Sequence, residues 1–338
     1  MAHGTVELRP FPLLAQHDRW KKFTPARNLL GKLTNNTFAD RWLNREYIEA
    51  YRSAAIPDLS PVAKRVVEDL TANGVAFASL DEFFGPETLG KLTDAFNGYH
   101  EQFKAKDSGK RKGKQVYITT IYRAHTFLPN DFVSDYLGSE QYAALSARYM
   151  GMIPRFVGNS FWHTYPGPTE ERMHSQLWHR DYNDRLLVKA FLYLNDVGEM
   201  NGPFEYFSGT HGQGPLGRTF NRTGPDGLRL YPDSKEMEEF LRSIPLVKLD
   251  DVEVQNRYGS RAPWAGKPSR ILCTGPAGSL IFADTFGLHR GGYVQEGHRN
   301  LIMTTFSTNS NVHKPHFEVT REFAEGLSPF MRKVFGLG

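Results

Sequence analysis

The chain has a single cysteine, Cys273, so no internal disulfide can brace it. Its apolar neighbours Ile271 and Leu272 mark a buried thiol in a strand rather than a nucleophile. Long apolar runs are also missing. None approaches the roughly 18 residues of a membrane span, and the opening MAHGTVELRPFPLL lacks the charged segment and apolar core of a signal peptide. No membrane partner is expected, and the cytoplasm is the expected compartment. Strong charge of one sign is lacking too: 41 basic residues stand against 37 acidic ones, spread along the chain. That excess of +4 does not call for nucleic acid. What the chain does have is 338 residues, 40% apolar and 13% aromatic, enough for a packed core in one large domain or two smaller ones.

Residues 1–60 read as an N-terminal extension wrapped on the body. Residues 61–153 read as a helical part. Ser60-Pro61 is a cap followed by proline at the first helical position, and VAKRVVEDLTANG runs to an Asn73-Gly74 stop. The short apolar strand VAFASL follows. Leu89, Leu92, Ala95, Phe96, Tyr99 and Phe103 then recur at three and four residues, the buried face of a second helix. Residues 104–115, KAKDSGKRKGKQ, read as a mobile basic loop, and a third helix lies between Ser139 and Gly151. From residue 154 to 310 the pattern changes to short β-branched and aromatic runs bounded by turn residues: RFVGNSFWHTY, LLVKAFLYLND, PFEYFSG, RILCTG, SLIFADT and LIMTTFST. This is a mainly β sandwich or barrel following a helical part, with an insertion or lid over 212–268 and a C-terminal segment over 311–338.

The stretch LWHRDYNDR, residues 177–185, carries the chemistry. A kinase catalytic loop would place asparagine seven residues after its histidine, where Leu186 stands, and no Gly-x-Gly-x-x-Gly or Asp-Phe-Gly accompanies it. His179 and Asp181 at i and i+2 of an extended strand share a face, so both can reach one ion. Imidazole and carboxylate suit non-haem iron(II), and a second histidine would complete a three-ligand face with open positions. His289 follows the strand SLIFADT, and ten residues on, Arg299 opens the strand NLIMTTFST. A guanidinium there suits the far carboxylate of a dicarboxylate co-substrate.

Taken in order, His179-Arg180-Asp181, YLNDVGEMNGPFEYFSGTH at 193–211, and His289 with Arg299 resemble the phytanoyl-CoA dioxygenase-like family of iron(II)/2-oxoglutarate-dependent oxygenases. LTANGVAFASLDEFFGPETLGKL is similar to that family's first strand and helix, so the resemblance spans roughly residues 62–310. It implies a double-stranded β-helix, the cupin-like jelly-roll barrel. It also implies iron(II) held by His179, Asp181 and His289, with 2-oxoglutarate anchored by Arg299 and consumed with O2 to give succinate and CO2. The expected outcome is hydroxylation of a small molecule of secondary or amino-acid metabolism, with desaturation, ring closure and rearrangement as open alternatives. Family members often place a hydroxyl two positions after the distal histidine, where this chain has Gly291, so Thr305 or Tyr293 is expected to assist Arg299 instead. Related halogenases have a small residue where Asp181 stands, which disfavours halogenation.

Around the co-substrate, Trp162, Phe191 and Asn159 are the expected lining, with barrel core the competing role for both aromatics. His163 and Trp178 are candidates for substrate contact. Lys189 shares its face with Phe191 and either lies in the barrel against an anion or, the reading adopted, turns outward to solvent. Two other functions stay open: a cupin-like barrel that binds metal without turnover, and an acyl-coenzyme A hydroxylase using the basic run 104–115. The sequence does not fix the oligomeric state.

Overall fold

A computed structural model describes residues 4–9, 37–107, 109–110, 113–168, 171–181, 184–217, 239, 242–244, 246–248, 269–311 and 314–337. Its strands are β1 (Val75–Ser79), β2 (Ile118–Arg123), β3 (His125–Phe127), β4 (Arg155–Thr164), β5 (Leu187–Tyr193), β6 (Phe204–Phe207), β7 (Leu246–Lys248), β8 (Arg270–Cys273), β9 (Ser279–Asp284), β10 (His289–Arg290), β11 (Arg299–Ser307) and β12 (Phe317–Val319). Six form one sheet in the order β1-β9-β5-β11-β4-β2, and four form a second in the order β10-β6-β8-β7. Pairing is antiparallel throughout the larger sheet.

Strand alternation builds the layers. On β5, Ala190 and Leu192 join the helices in one core, while Phe191 and Tyr193 face Phe204, Tyr206, Ile271 and Cys273 of the smaller sheet in another. The two sheets therefore pack face to face as a jelly roll, and helices Pro61–Asn73, Thr88–Lys106 and Glu140–Met150 cover the outer face of the larger one. The first of these helices has the expected ends. The Ser60 hydroxyl accepts from Ala63 N–H, Pro61 follows, and Gly74 closes it at φ 79°.

Two expectations change. Residues 104–115 are not simply a loop: 104–106 end a helix and Gly113–Val116 form a 3-10 turn leading into β2, a strand the sequence reading did not assign. Most of 212–268 lies outside the described residues, but Leu246–Lys248 form β7, parallel to β8, so these three residues join the smaller sheet. The run DSKEMEEFLRSI at 233–244, whose composition reads as a short helical piece, also lies mostly outside them. Of the N-terminal extension, Val6 N–H donates to Val319, and helices Thr37–Leu43 and Arg45–Ser53 precede the body. No helix among the described residues is long and apolar enough to cross a membrane.

Candidate metal centre

His179 and His289 are cross-strand neighbours, each donating its backbone N–H to the other's carbonyl at 3.0 Å. Asp181 N–H donates to Thr285 O at 2.9 Å, which extends the pairing. Between them Arg180 points away and is buried, donating to Thr210 O and Phe286 O and lying over the Phe286 ring. It ties the His-x-Asp segment to the turn before His289. One ligand atom from each of His179, Asp181 and His289 lies within 4.8 Å of the others.

The histidine tautomers follow from their partners. Nδ1 of His179 lies 2.8 Å from Leu177 O, and Nδ1 of His289 lies 2.9 Å from Gly287 O. A carbonyl only accepts, so each Nδ1 carries the proton and each Nε2 is the unprotonated nitrogen. Burial holds both rings neutral, and with His179 alongside, His289 is pushed down to about 3. Burial opposes charge on Asp181, but Lys189, His289 and His179 outweigh it and hold the carboxyl well below the usual carboxylate range. Two neutral imidazoles and a carboxylate are the donor types that suit a facial iron(II) site.

Lys189 corrects an expectation: it turns into the barrel, donating to Asp181 Oδ2 at 2.6 Å. The reason is its register beside Thr305 and Ala283 on the inner face, where a half-buried carboxylate takes a counter-charge.

The three ligands border a hollow of about 130 Å³ together with Arg299, Thr164, Trp162, Phe191, Tyr117 and Ser175. Arg299 is buried, donates through Nη1 to Gly202 O, and has no partner for its Nε among the described residues. Nor does any carboxylate pair with it among them. Thr164 stands directly opposite Arg299 across β4 and β11, and its buried hydroxyl also has no partner. A Cβ at Gly291 would come 3.8 Å from Arg299 Nη2, so the glycine leaves that approach open. A buried cation without a counter-ion is costly, so this end of the hollow fits an anionic carboxylate group.

Thr164 is the residue the sequence reading missed. Only the register of two strands far apart in sequence puts it against Arg299. Thr305, expected to assist Arg299, lies six residues along β11, roughly 20 Å at the rise of an extended strand. It borders a second hollow instead. Tyr293 is not among the residues bordering the Arg299 hollow. Asn159 is in register with Thr304, on the face of Ile302 and Phe161 that meets the helices, because it is an odd number of residues from inward-facing Trp162. His163 is on that outer face too, bonded to Asn300 at 2.7 Å with its ring 4.8 Å from that of His100. Trp178 packs on Phe207 under the Arg290 guanidinium and does not border the hollow.

Two further spaces adjoin. The second hollow, also about 130 Å³, shares Asp181, Lys189 and Met303 with the first. A larger groove of about 620 Å³ beside Tyr99, Lys106, Lys110 and Tyr122 meets the first hollow at Lys114, Ile118, Trp162 and Ser175.

No protein-family model matches the chain, and no curated protein matches it. Among solved structures the chain is similar to EctD from S. alaskensis with bound Fe, at 13% identity and a TM-score of 0.49 over 84% of this chain and 89% of that one. It is also similar to AviO1 from Streptomyces viridochromogenes Tue57, at 17% identity and 0.43 over 76% and 100%. A third is the epimerase SnoN in complex with Fe3+, alpha ketoglutarate and nogalamycin RO, at 14% identity and 0.44 over 73% and 83%. A likeness of this depth carries no activity with it.

Proposed function

We propose that the chain is an iron(II)/2-oxoglutarate-dependent oxygenase that oxidises a C–H bond of a small molecule, with hydroxylation as the outcome. One observation carries this reading: a His-Asp-His donor set and a buried arginine without a carboxylate partner border the same small hollow. His179, Asp181 and His289 would hold the metal on one face. When bound, iron(II) and 2-oxoglutarate supply the oxidative decarboxylation that yields succinate and CO2 and the power to break a C–H bond.

The chain's own residues do the rest. Arg299 offers a cation to the far carboxylate of the co-substrate, with the Thr164 hydroxyl across from it. Trp162 and Phe191 give the hollow apolar walls that limit water. Lys189 holds one oxygen of Asp181 in place and balances its charge. Asp181 occupies the position a halide would need, which supports oxygenation over halogenation.

The test is anaerobic titration of iron(II)-loaded protein with 2-oxoglutarate, following the weak visible charge-transfer band of the chelate. The expected result is a band that is lost in His179→Ala and needs roughly 10- to 100-fold more co-substrate in Arg299→Ala, the scale of a charge-assisted hydrogen bond. Iron binding without any band would leave a metal-binding barrel without this activity.

A further inference from the structure

The second hollow lies on the other side of Asp181 and Lys189 from Arg299, and the register of the larger sheet sets what faces it. Arg123 on edge strand β2 pairs with Ser160, Ser160 with Met303, and Met303 with Phe191, so these four side chains form one row on the inner face. The neighbouring row runs Gly158, Thr305, Lys189. Arg123, Ser160, Met303, Thr305 and Lys189 border this hollow together with Asp181 and His316.

Its charges are unbalanced. Asp181 is taken up by Lys189 at 2.6 Å, while Arg123 has no ion pair among the described residues. Arg123 is partly exposed on the sheet edge and borders this space, and its charge, after burial of the ring, helps depress His316 on the far wall. Gly158 is held close to the strand end at His316: at φ 145° a Cβ would come 2.9 Å from His316 O. Two strand spacings, roughly 10 Å, separate the Arg123 and Met303 backbones. A molecule whose anionic end meets Arg123 would thus bring its other end to the Asp181 edge of the metal site.

We propose that the second hollow is the substrate pocket and that the substrate is a small monoanion, a carboxylate held by Arg123 with its apolar part against Met303. This rests on the oxygenase reading for its chemistry but not for its binding test. The probes are monocarboxylates from acetate to benzoate, each paired with its neutral amide, measured by saturation-transfer NMR on anaerobic protein already saturated with iron(II) and 2-oxoglutarate. At least one carboxylate should bind, with its amide and the Arg123→Ala variant each weaker by about tenfold or more and Arg123→Lys intermediate. The co-substrate band must persist in Arg123→Ala, which shows that the variant is folded and that the first site is separate.

Equal binding of acid and amide, indifference to Arg123→Ala, or no carboxylate binding at all would overturn the proposal. So would loss of binding only on charge reversal of Lys106 and Lys110, which would move the anion to the larger groove. Carboxylate binding of the expected pattern in protein that gives no chelate band on parallel samples would leave the pocket standing and the oxygenase reading failed.

Discussion

Thr164 illustrates how the site is assembled residue by residue. In sequence it is the end of RFVGNSFWHT and carries no motif; in the fold its hydroxyl is buried, without a partner, opposite Arg299. Thr164→Val keeps the shape and removes the hydrogen bond, so the co-substrate concentration at half-saturation should rise about 3- to 20-fold, the scale of one hydrogen bond. Iron affinity, which the proposed function assigns to His179, Asp181 and His289, should not move. Parallel titrations of metal and 2-oxoglutarate separate the two, and a fall in both would make Thr164 a structural residue. Lys189 makes a related point: an inward lysine is tolerated because Asp181 stands 2.6 Å away, and sequence alternation alone could not reveal that partner.

At the scale of elements, the sharpest constraint on the metal strands comes from a helix end. Gly74 closes helix Pro61–Asn73 at φ 79°, its carbonyl accepts from Asp284 N–H at 2.8 Å, and a Cβ there would run into the Tyr206 hydroxyl and the His211 ring. The same Tyr206 hydroxyl donates to Asp284 O at 2.8 Å, so helix, β6 and β9 meet at one point just before His289. Gly74→Ala should lower stability by about 3 kcal/mol through backbone strain and overpacking together. Ser60→Ala, at the solvent side of the same helix, should cost only about 1 kcal/mol. Chemical denaturation of both variants checks the order; equal losses would mean that the turn relaxes and does not hold β9. These helices were legible in the sequence because caps and 3.6-residue periodicity are local. Strand β2 was not, because its glycine- and lysine-rich approach resembles a loop until pairing with β4 fixes it.

At the scale of the whole molecule, a buried polar network joins three distant parts of the chain. Asp184, just past the metal pair, accepts from Thr308 Oγ1 and N–H; Ser310 donates to Asp40 at 2.7 Å; Asn44 bonds Asp40 and Ser310. Burial, then the facing Asp40, pushes the Asp184 carboxyl up to about 8, against about 3.9 in an unfolded chain. A raised pKa favours the protonated folded form, so this contribution is full below about pH 4 and is lost as pH rises through about 8. Stability should therefore decline from about pH 4 to about pH 8, and Asp184→Asn should flatten that decline. Denaturation midpoints across the range test this. An unchanged slope in the variant would assign the decline to other groups.

The class of fold, the helix ends and the buried Cys273 were legible in the chain alone, because caps, periodicity and apolar neighbours are local; the ordered motifs and the resemblance they carry singled out His179, Asp181, His289 and Arg299, which the fold brings around one hollow. The sequence could not determine which way Lys189 turns, that Thr164 rather than Thr305 faces Arg299, or that Asn159 and His163 look toward the helices. Those are matters of register between strands far apart in the chain, where a shift of one residue exchanges the two faces of a sheet. The placement of Arg123 beside the metal edge is of the same kind. It depends on four strands in order, β2, β4, β11 and β5, which only the packed sheet brings side by side.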